Sequence, residues 1–143
     1  MITNKPTRRA SAQRELIWRI VSEGRDHPTA QTIYQRLRRE HPGTSLGNVY
    51  RNLAILVEEG RLACRKFRDW PERYDAIVPE HGHFVCDLCG AVNDFDLPLS
   101  PGIAAASRRA QRTVTGYTVI MHGLCARCKR TSDRSTNRGK GAS

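Results

Sequence analysis

The feature that most narrows how this chain can fold is a doubled Cys-x-x-Cys, Cys86 with Cys89 and Cys125 with Cys128. Each pair forms a knuckle that can chelate one face of a tetrahedral ion. Four thiolates with no ligand left over suit a structural zinc site, closed to any substrate. Redox disulfides and an iron–sulfur centre use similar spacing and are the other chemistries open to it. Gly90, after the first pair, lets the backbone turn tightly around an ion. The ion would staple a small subdomain whose own core is marginal. The total of five cysteines is odd, which fits a secreted disulfide framework poorly. Cys64, the fifth, lies alone on an expected strand and reads as a small, half-buried apolar residue.

At 143 residues the chain has room for one ordinary domain or two small ones. Hydrophobic residues make up 38% of it, enough for a modest core. No apolar run approaches the roughly 18–20 residues of a transmembrane helix, and "MITNKPTRRASAQRE" lacks the apolar centre of a signal peptide. The expectation is a cytoplasmic protein with no membrane partner. Net charge is +10 and unevenly placed. Residues 1–80 hold 15 basic and 10 acidic side chains, and residues 129–143 hold 5 and 1. That excess favours polyanions through counterion release, nucleic acid first among them; bare solubility is the plainer reading.

Residues 1–10 are polar and basic and read as an arm. From Ser11, the apolar positions Leu16, Ile17, Ile20 and Val21 make a helical stripe that ends at Gly24. Thr29 is placed to cap a second helix, whose Ala30, Ile33, Tyr34 and Leu37 match the i, i+3, i+4, i+7 template. A third helix, "SLGNVYRNLAILVEEG", buries Leu46, Val49, Leu53 and Leu56 and stops at Gly60, where a helix end wants positive φ. "RLACRKFRDWPERYDAIV" then reads as two strands around a "DWPE" turn. Three short helices and a hairpin describe a winged helix, with the third helix as reader of DNA. Its other face carries Asn48, Tyr50, Arg51 and Asn52, side chains that can bond phosphates and base edges. An ordinary solvated face is the bland alternative.

Composition changes near "AIVPEHG", which places a hinge at residues 76–82. Beyond it the order is strand ("HFVC"), knuckle, strand ("AVNDF"), a helix from about 99 to 113, and a strand "YTVIM" leading into "GLCARCK". Residues 129–143 have no apolar face and are expected to be disordered. The fold class is α+β: an N-terminal winged helix (11–78) after the arm (1–10), then a small α/β domain (79–128) holding the zinc.

If the four cysteines fill one site, His81 and His83 serve another purpose. On a strand, i and i+2 share a face. With the hairpin centred between residues 87 and 88, Asp94 pairs opposite His81 and joins that face. Two imidazoles and a carboxylate suit Fe(II), Mn(II) or Zn(II), and ligand type alone does not separate them. Hydrated polar residues beside a turn are the alternative.

Together these residues resemble the ferric uptake regulator family. The resemblance runs from about Ser11 to Cys128 and rests on "HPTAQTIYQRL", "SLGNVYRNLAILVEEGRL", "ERYD", "HGHFVCDLCG", "DFD" and "GLCARC", in that order. It implies a homodimeric, metal-dependent repressor whose winged helix binds AT-rich inverted repeats in double-stranded DNA. Its C-terminal domain would dimerise and hold structural Zn(II) on Cys86, Cys89, Cys125 and Cys128. It further implies a regulatory site of His27, Asp75, His81, His83 and Asp94 for Fe(II) or Mn(II), with Zn(II) also fitting. Peroxide-sensing members resemble this chain in having Asp at the position of Asp94; with Fe(II) bound, peroxide oxidises a ligating histidine and releases the DNA. Iron, manganese and zinc uptake regulators on the same scaffold are the alternative, and often carry a further site that would need ligands where this chain has Gly82 and Tyr117. The family usually adds a helix before the one starting near Ser11, and more often has Ala and Thr where this chain has Gly47 and Asn48. A zinc-ribbon RNA-binding structural protein explains the charge and cysteines but not the third helix or the second-site acids. An enzyme is disfavoured, because no nucleophile accompanies the histidines.

Overall fold

In a computed structural model, the chain divides into two compact units, Met1–Pro79 and Glu80–Ser143. The described residues are 8–96, 101–113, 115 and 117–138, without the side chains of 8–11 and 133–138. The first unit holds α1 (Arg8–Gly24), α2 (Ala30–Glu40), α3 (Leu46–Glu58), β1 (Ala63–Arg65) and β2 (Arg73–Asp75). Each helix begins and ends where its sequence provides the chemistry. The Thr29 hydroxyl accepts from the Thr32 N–H and opens α2; the Ser45 hydroxyl accepts from the Asn48 N–H and opens α3. Arg38 and Arg39 sit in the last turn of α2, where cations suit the helix dipole. At the end of α3, Gly60 takes φ +68° and the N–H groups of Arg61 and Leu62 fold back onto the Leu56 carbonyl.

The apolar stripes of the three helices meet in one core of Ile17, Val21, Ala30, Ile33, Leu37, Val49, Leu53 and Leu56, closed by Leu62 and Tyr74 from the hairpin. Tyr34, given to the buried stripe of α2, packs at the core's edge instead. β1 and β2 pair antiparallel, Cys64 opposite Tyr74. Burial pushes the Tyr74 hydroxyl up to about 12. Cys64 is exposed rather than half-buried, on a three-residue strand whose neighbours are only partly covered.

The second unit is a three-stranded sheet in the order β4-β3-β5, with β3 (Gly82–Cys86), β4 (Val92–Phe95) and β5 (Val119–Gly123). Two helices, α4 (Pro101–Arg109) and α5 (Ala126–Arg138), complete it. β3 runs antiparallel to β4 and parallel to β5. The Asp87 N–H donates to the Gly123 carbonyl at 2.8 Å, so the first knuckle and the end of β5 are tied together. Gly82 is required at its place: a Cβ there would stand 2.5 Å from the Phe95 ring.

Four expectations are corrected. The helix expected from Ser11 starts at Arg8, because "RRA" continues it without a breaker; the arm before it, residues 1–7, lies outside the described residues. The helix expected over 99–113 spans Pro101–Arg109, since Gln111 takes φ +49° and the Arg112 N–H caps the Ser107 carbonyl; 99 and 100 lie outside the described residues. The strand expected at 117–121 is Val119–Gly123, the stretch that pairs with Gly82–Cys86. The tail expected to be disordered is helical to Arg138: its first turn is anchored by buried Cys128, and no Pro or Gly intervenes before Gly139. Residues 139–143 lie outside the described residues.

Leu53→Ala removes a fully buried side chain from the centre of the three-helix core. It is expected to lower stability by about 2–5 kcal/mol in urea unfolding.

Candidate metal centres and nucleic-acid interface

The β3–β4 turn and the start of α5 bring Cys86, Cys89, Cys125 and Cys128 together, with ligand atoms all within 4.8 Å of one another. Zn–S bonds of about 2.3 Å at the tetrahedral angle set sulfurs about 3.8 Å apart. The Cys89 and Cys125 sulfurs stand 3.9 Å apart, far beyond the roughly 2.05 Å of a disulfide. The backbone prepares the thiolates. N–H groups of Cys125, first, and of Cys89 point at the Cys86 sulfur and hold its thiol down to about 6. The Cys125 thiol is lowered as well, chiefly by the Cys128 backbone, while burial pushes Cys128 up to about 12. Four sulfurs within 4.8 Å of one another, two of them with lowered thiols, fit a closed zinc site.

The same sheet carries the second donor set of this unit. His81 Nε2 lies 3.0 Å and His83 Nε2 3.5 Å from Asp94 Oδ1, and the two rings are 4.3 Å apart. His83 is fully enclosed. Asp94 pairs with His83, not His81, because the hairpin centre falls between residues 88 and 89. The turn is longer than expected: the Cys86 N–H bonds the Ala91 carbonyl and Gly90 takes φ +67°. A shift of two residues keeps the face, where a shift of one would have reversed it. The three donors therefore converge as the alternation requires.

The first unit holds its own donor pair. His27 Nε2 lies 3.8 Å from Asp75 Oδ2, and both residues are buried. The Tyr74 N–H donates to the Pro28 carbonyl at 3.0 Å, which ties β2 to the loop before α2. His27 has φ +48° before Pro28, a left-handed conformation costly for a residue with a Cβ. Such strain persists where the surroundings hold it, and it clusters at functional positions. Arg73 donates to the His27 carbonyl at 3.3 Å. Asp75 Oδ1 accepts from the Ile77 N–H at 2.8 Å, and Arg65 Nε approaches Oδ2 at 3.3 Å while its other end donates to the carbonyls of Ile77 and Val78. Sequence reading missed Arg65 and Arg73. The i, i+2 spacing of Arg73 and Asp75 on one strand face was the available signal for the second.

On α3 the four expected DNA contacts divide. Tyr50 and Arg51 are exposed. Asn48 is half-buried, and Asn52 is buried, which corrects its place on the solvated face. Val49, Asn52, Leu53 and Leu56 follow the i, i+3, i+4, i+7 rule, so spacing alone puts Asn52 on the inner stripe.

The sequence pattern of the ferric uptake regulator family matches residues 5–126. This chain belongs to the ferric uptake regulator family. It is 31% identical over 122 residues to the peroxide-responsive repressor PerR of Staphylococcus epidermidis, covering 85% of this chain and 81% of that one. Among solved structures it is similar to the Campylobacter jejuni peroxide stress regulator, with 27% identity, a TM-score of 0.71, and 84% and 91% of the two chains covered. A zinc-bound manganese uptake regulator is similar at 28% identity and TM-score 0.62, over 79% and 87% of the chains. This Fur-family chain is thus a metal-responsive transcriptional regulator and not an enzyme, built as a DNA-binding winged helix and a dimerisation domain. Among its described residues, a four-cysteine group and a His/Asp set have the donors to hold metal ions. Among the described residues no helix is long and apolar enough to cross a membrane.

Cys86→Ser is expected to lose zinc and dimer integrity, read by metal analysis and light scattering; full zinc with a normal dimer would remove Cys86 from the site. The lowered Cys86 thiol has a definite sign: its anion is favoured from about pH 6 upward, and acid below that value protonates it.

Proposed function

We propose that this chain is a peroxide-sensing repressor that holds an AT-rich inverted repeat in the cytoplasm as a homodimer. The observation that carries the reading is the chemical contrast between its donor sets: a closed four-sulfur cluster and a separate His/Asp set on one sheet. The first suits a permanent ion and the second an exchangeable one. Cys86, Cys89, Cys125 and Cys128 hold the zinc. His81, His83 and Asp94, joined by His27 and Asp75, hold the regulatory ion.

Fe(II) held there supplies the redox chemistry by which peroxide adds oxygen to a ligating imidazole. The chain's own residues do the rest. His83 keeps its imidazole out of bulk water, and the Asp94 carboxylate aims both Nε2 atoms at one point. Asp75 links ligation to the hinge, since its other oxygen already holds the Ile77 N–H. A change at the ion thereby reaches the segment between the two domains, which is the coupling that metal-dependent DNA affinity requires. Tyr50 and Arg51 are the exposed α3 side chains for DNA, with Asn48 beside them. Ile120, Met121 and Leu124, exposed on and after edge strand β5, are the apolar surface a second copy would cover. Support for the subclass is the PerR relative and the Asp at position 94.

The second reading is a metal-supply sensor, favoured by the likeness to a manganese uptake regulator. Peptide mass spectrometry of the Fe(II)-loaded protein after a brief, low dose of hydrogen peroxide decides between them. Oxygen on His27 or on the His81/His83 segment, with loss of DNA binding, is expected; unmodified histidines would favour supply sensing. His83→Ala is expected to abolish metal-activated DNA binding with zinc retained. Unchanged metal-dependent affinity would take His83 out of the site.

A further inference from the structure

A chain of polar side chains links α3 to α1 and to the loop before α3. Asn52 Nδ2 donates to the Asn48 backbone carbonyl at 2.9 Å and to Asn48 Oδ1 at 3.0 Å. Asn48 Nδ2 donates to Gln13 Oε1 at 2.7 Å, and Gln13 Nε2 donates to Thr44 Oγ1 at 2.9 Å. Three carboxamides in series could each flip by exchanging N and O. Here they cannot flip independently. A backbone carbonyl only accepts, so the Asn52 atom facing it must be nitrogen. That nitrogen then requires oxygen on Asn48, which turns the Asn48 nitrogen toward Gln13 and the Gln13 nitrogen toward Thr44. One carbonyl orients the whole relay.

The consequence lies at Asn48. A carboxamide offers two N–H donors and two acceptor lone pairs. Gln13 takes one N–H and Asn52 one lone pair, and no other side-chain partner exists among the described residues. One N–H and one lone pair remain, with their polarity decided in advance. Asn48 is half-buried, not sealed: it lines an open cleft of about 680 Å³ together with Gln13, Thr44 and Arg51. It also occupies the first turn of α3, three residues after the Ser45 cap, the part of a recognition helix that meets base edges.

We propose that Asn48 is a specificity-determining residue that reads adenine in the major groove, and that Gln13 and Asn52 are positioning residues that fix its carboxamide. Adenine presents N7 as acceptor beside N6 as donor, the complement of a side-by-side N–H and lone pair. Guanine presents two acceptors and repels the oxygen. Pre-orientation removes the cost of ordering the side chain at the moment of binding. The inference rests on the DNA-binding reading of α3 and deepens it.

The test is selection from a pool of duplexes with a randomised core by the full-length, metal-loaded dimer, followed by affinities on the selected site and its single-base variants. Wild type is expected to prefer adenine over guanine at one position per half-site by roughly 5- to 150-fold, the span of a good bidentate contact. Gln13→Met, which removes the acceptor that holds Asn48 and keeps the volume, is expected to collapse that preference toward 1 while other positions keep theirs. Gln13→Glu retains an acceptor for Asn48 Nδ2, so the adenine preference is expected to survive even where the added charge weakens all DNA binding. Asn48→Asp deletes the N–H and is expected to shift the preference toward cytosine, whose N4 amino group donates. An adenine preference untouched by Gln13→Met would overturn the positioning role. If Asn48→Ala leaves every base preference intact, the specificity role falls while the DNA-binding reading stands. Failure of metal-loaded wild type to retain any duplex would instead sink both.

Discussion

Four sulfurs drawn to one point organise the whole second half of this protein. Among the described residues the apolar side chains sealed there are few, chiefly Val85 and Val92, a small core for three strands and two helices. The cluster compensates by joining the β3–β4 turn to the start of α5, two places 36 residues apart in sequence. The backbone is already committed to it: the Cys125 N–H points at the Cys86 sulfur, and the Asp87 N–H holds the end of β5. Zinc binding is then part of the folding free energy of that unit rather than an addition to a finished fold.

That staple also governs the regulatory donors, though it shares no atom with them. The turn length around Cys86–Cys89 sets the hairpin register, and the register sets which acid faces which histidine. Asp94 reaches His81 and His83 because the strand between knuckle and carboxylate has the right parity. In the first unit, strain plays the corresponding part. The loop carrying His27 at positive φ is tied by the Tyr74 N–H on the Pro28 carbonyl and by Arg73 on the His27 carbonyl.

The helices were legible because their information is local. Apolar spacing, two hydroxyl caps and a glycine stop needed no partner to be read, and Thr29, Ser45 and Gly60 act as their positions suggest. The tail was misread for a related reason. Lack of an apolar face predicts disorder only when nothing anchors the segment, and Cys128 supplies an anchor. Asn52 was misplaced through its chemistry: a polar residue was put outside although its spacing from Val49 put it inside.

The amino-acid sequence alone determined the donor types, the knuckle spacing, the boundaries of the first three helices to within a turn, and the parity that sets His81, His83 and Asp94 on one face. Those follow from periodicity and from short-range bonds, which depend on neighbours in the chain. Tertiary structure decided the rest: the pairing of Asp94 with His83, the left-handed His27, the Arg65 contact to Asp75, and the alignment of Gln13 with Asn48. The three pairings join residues 10 or more positions apart, and no local pattern records such a contact. Packing alone brings them together, because a buried polar group must find its partner wherever the core leaves one.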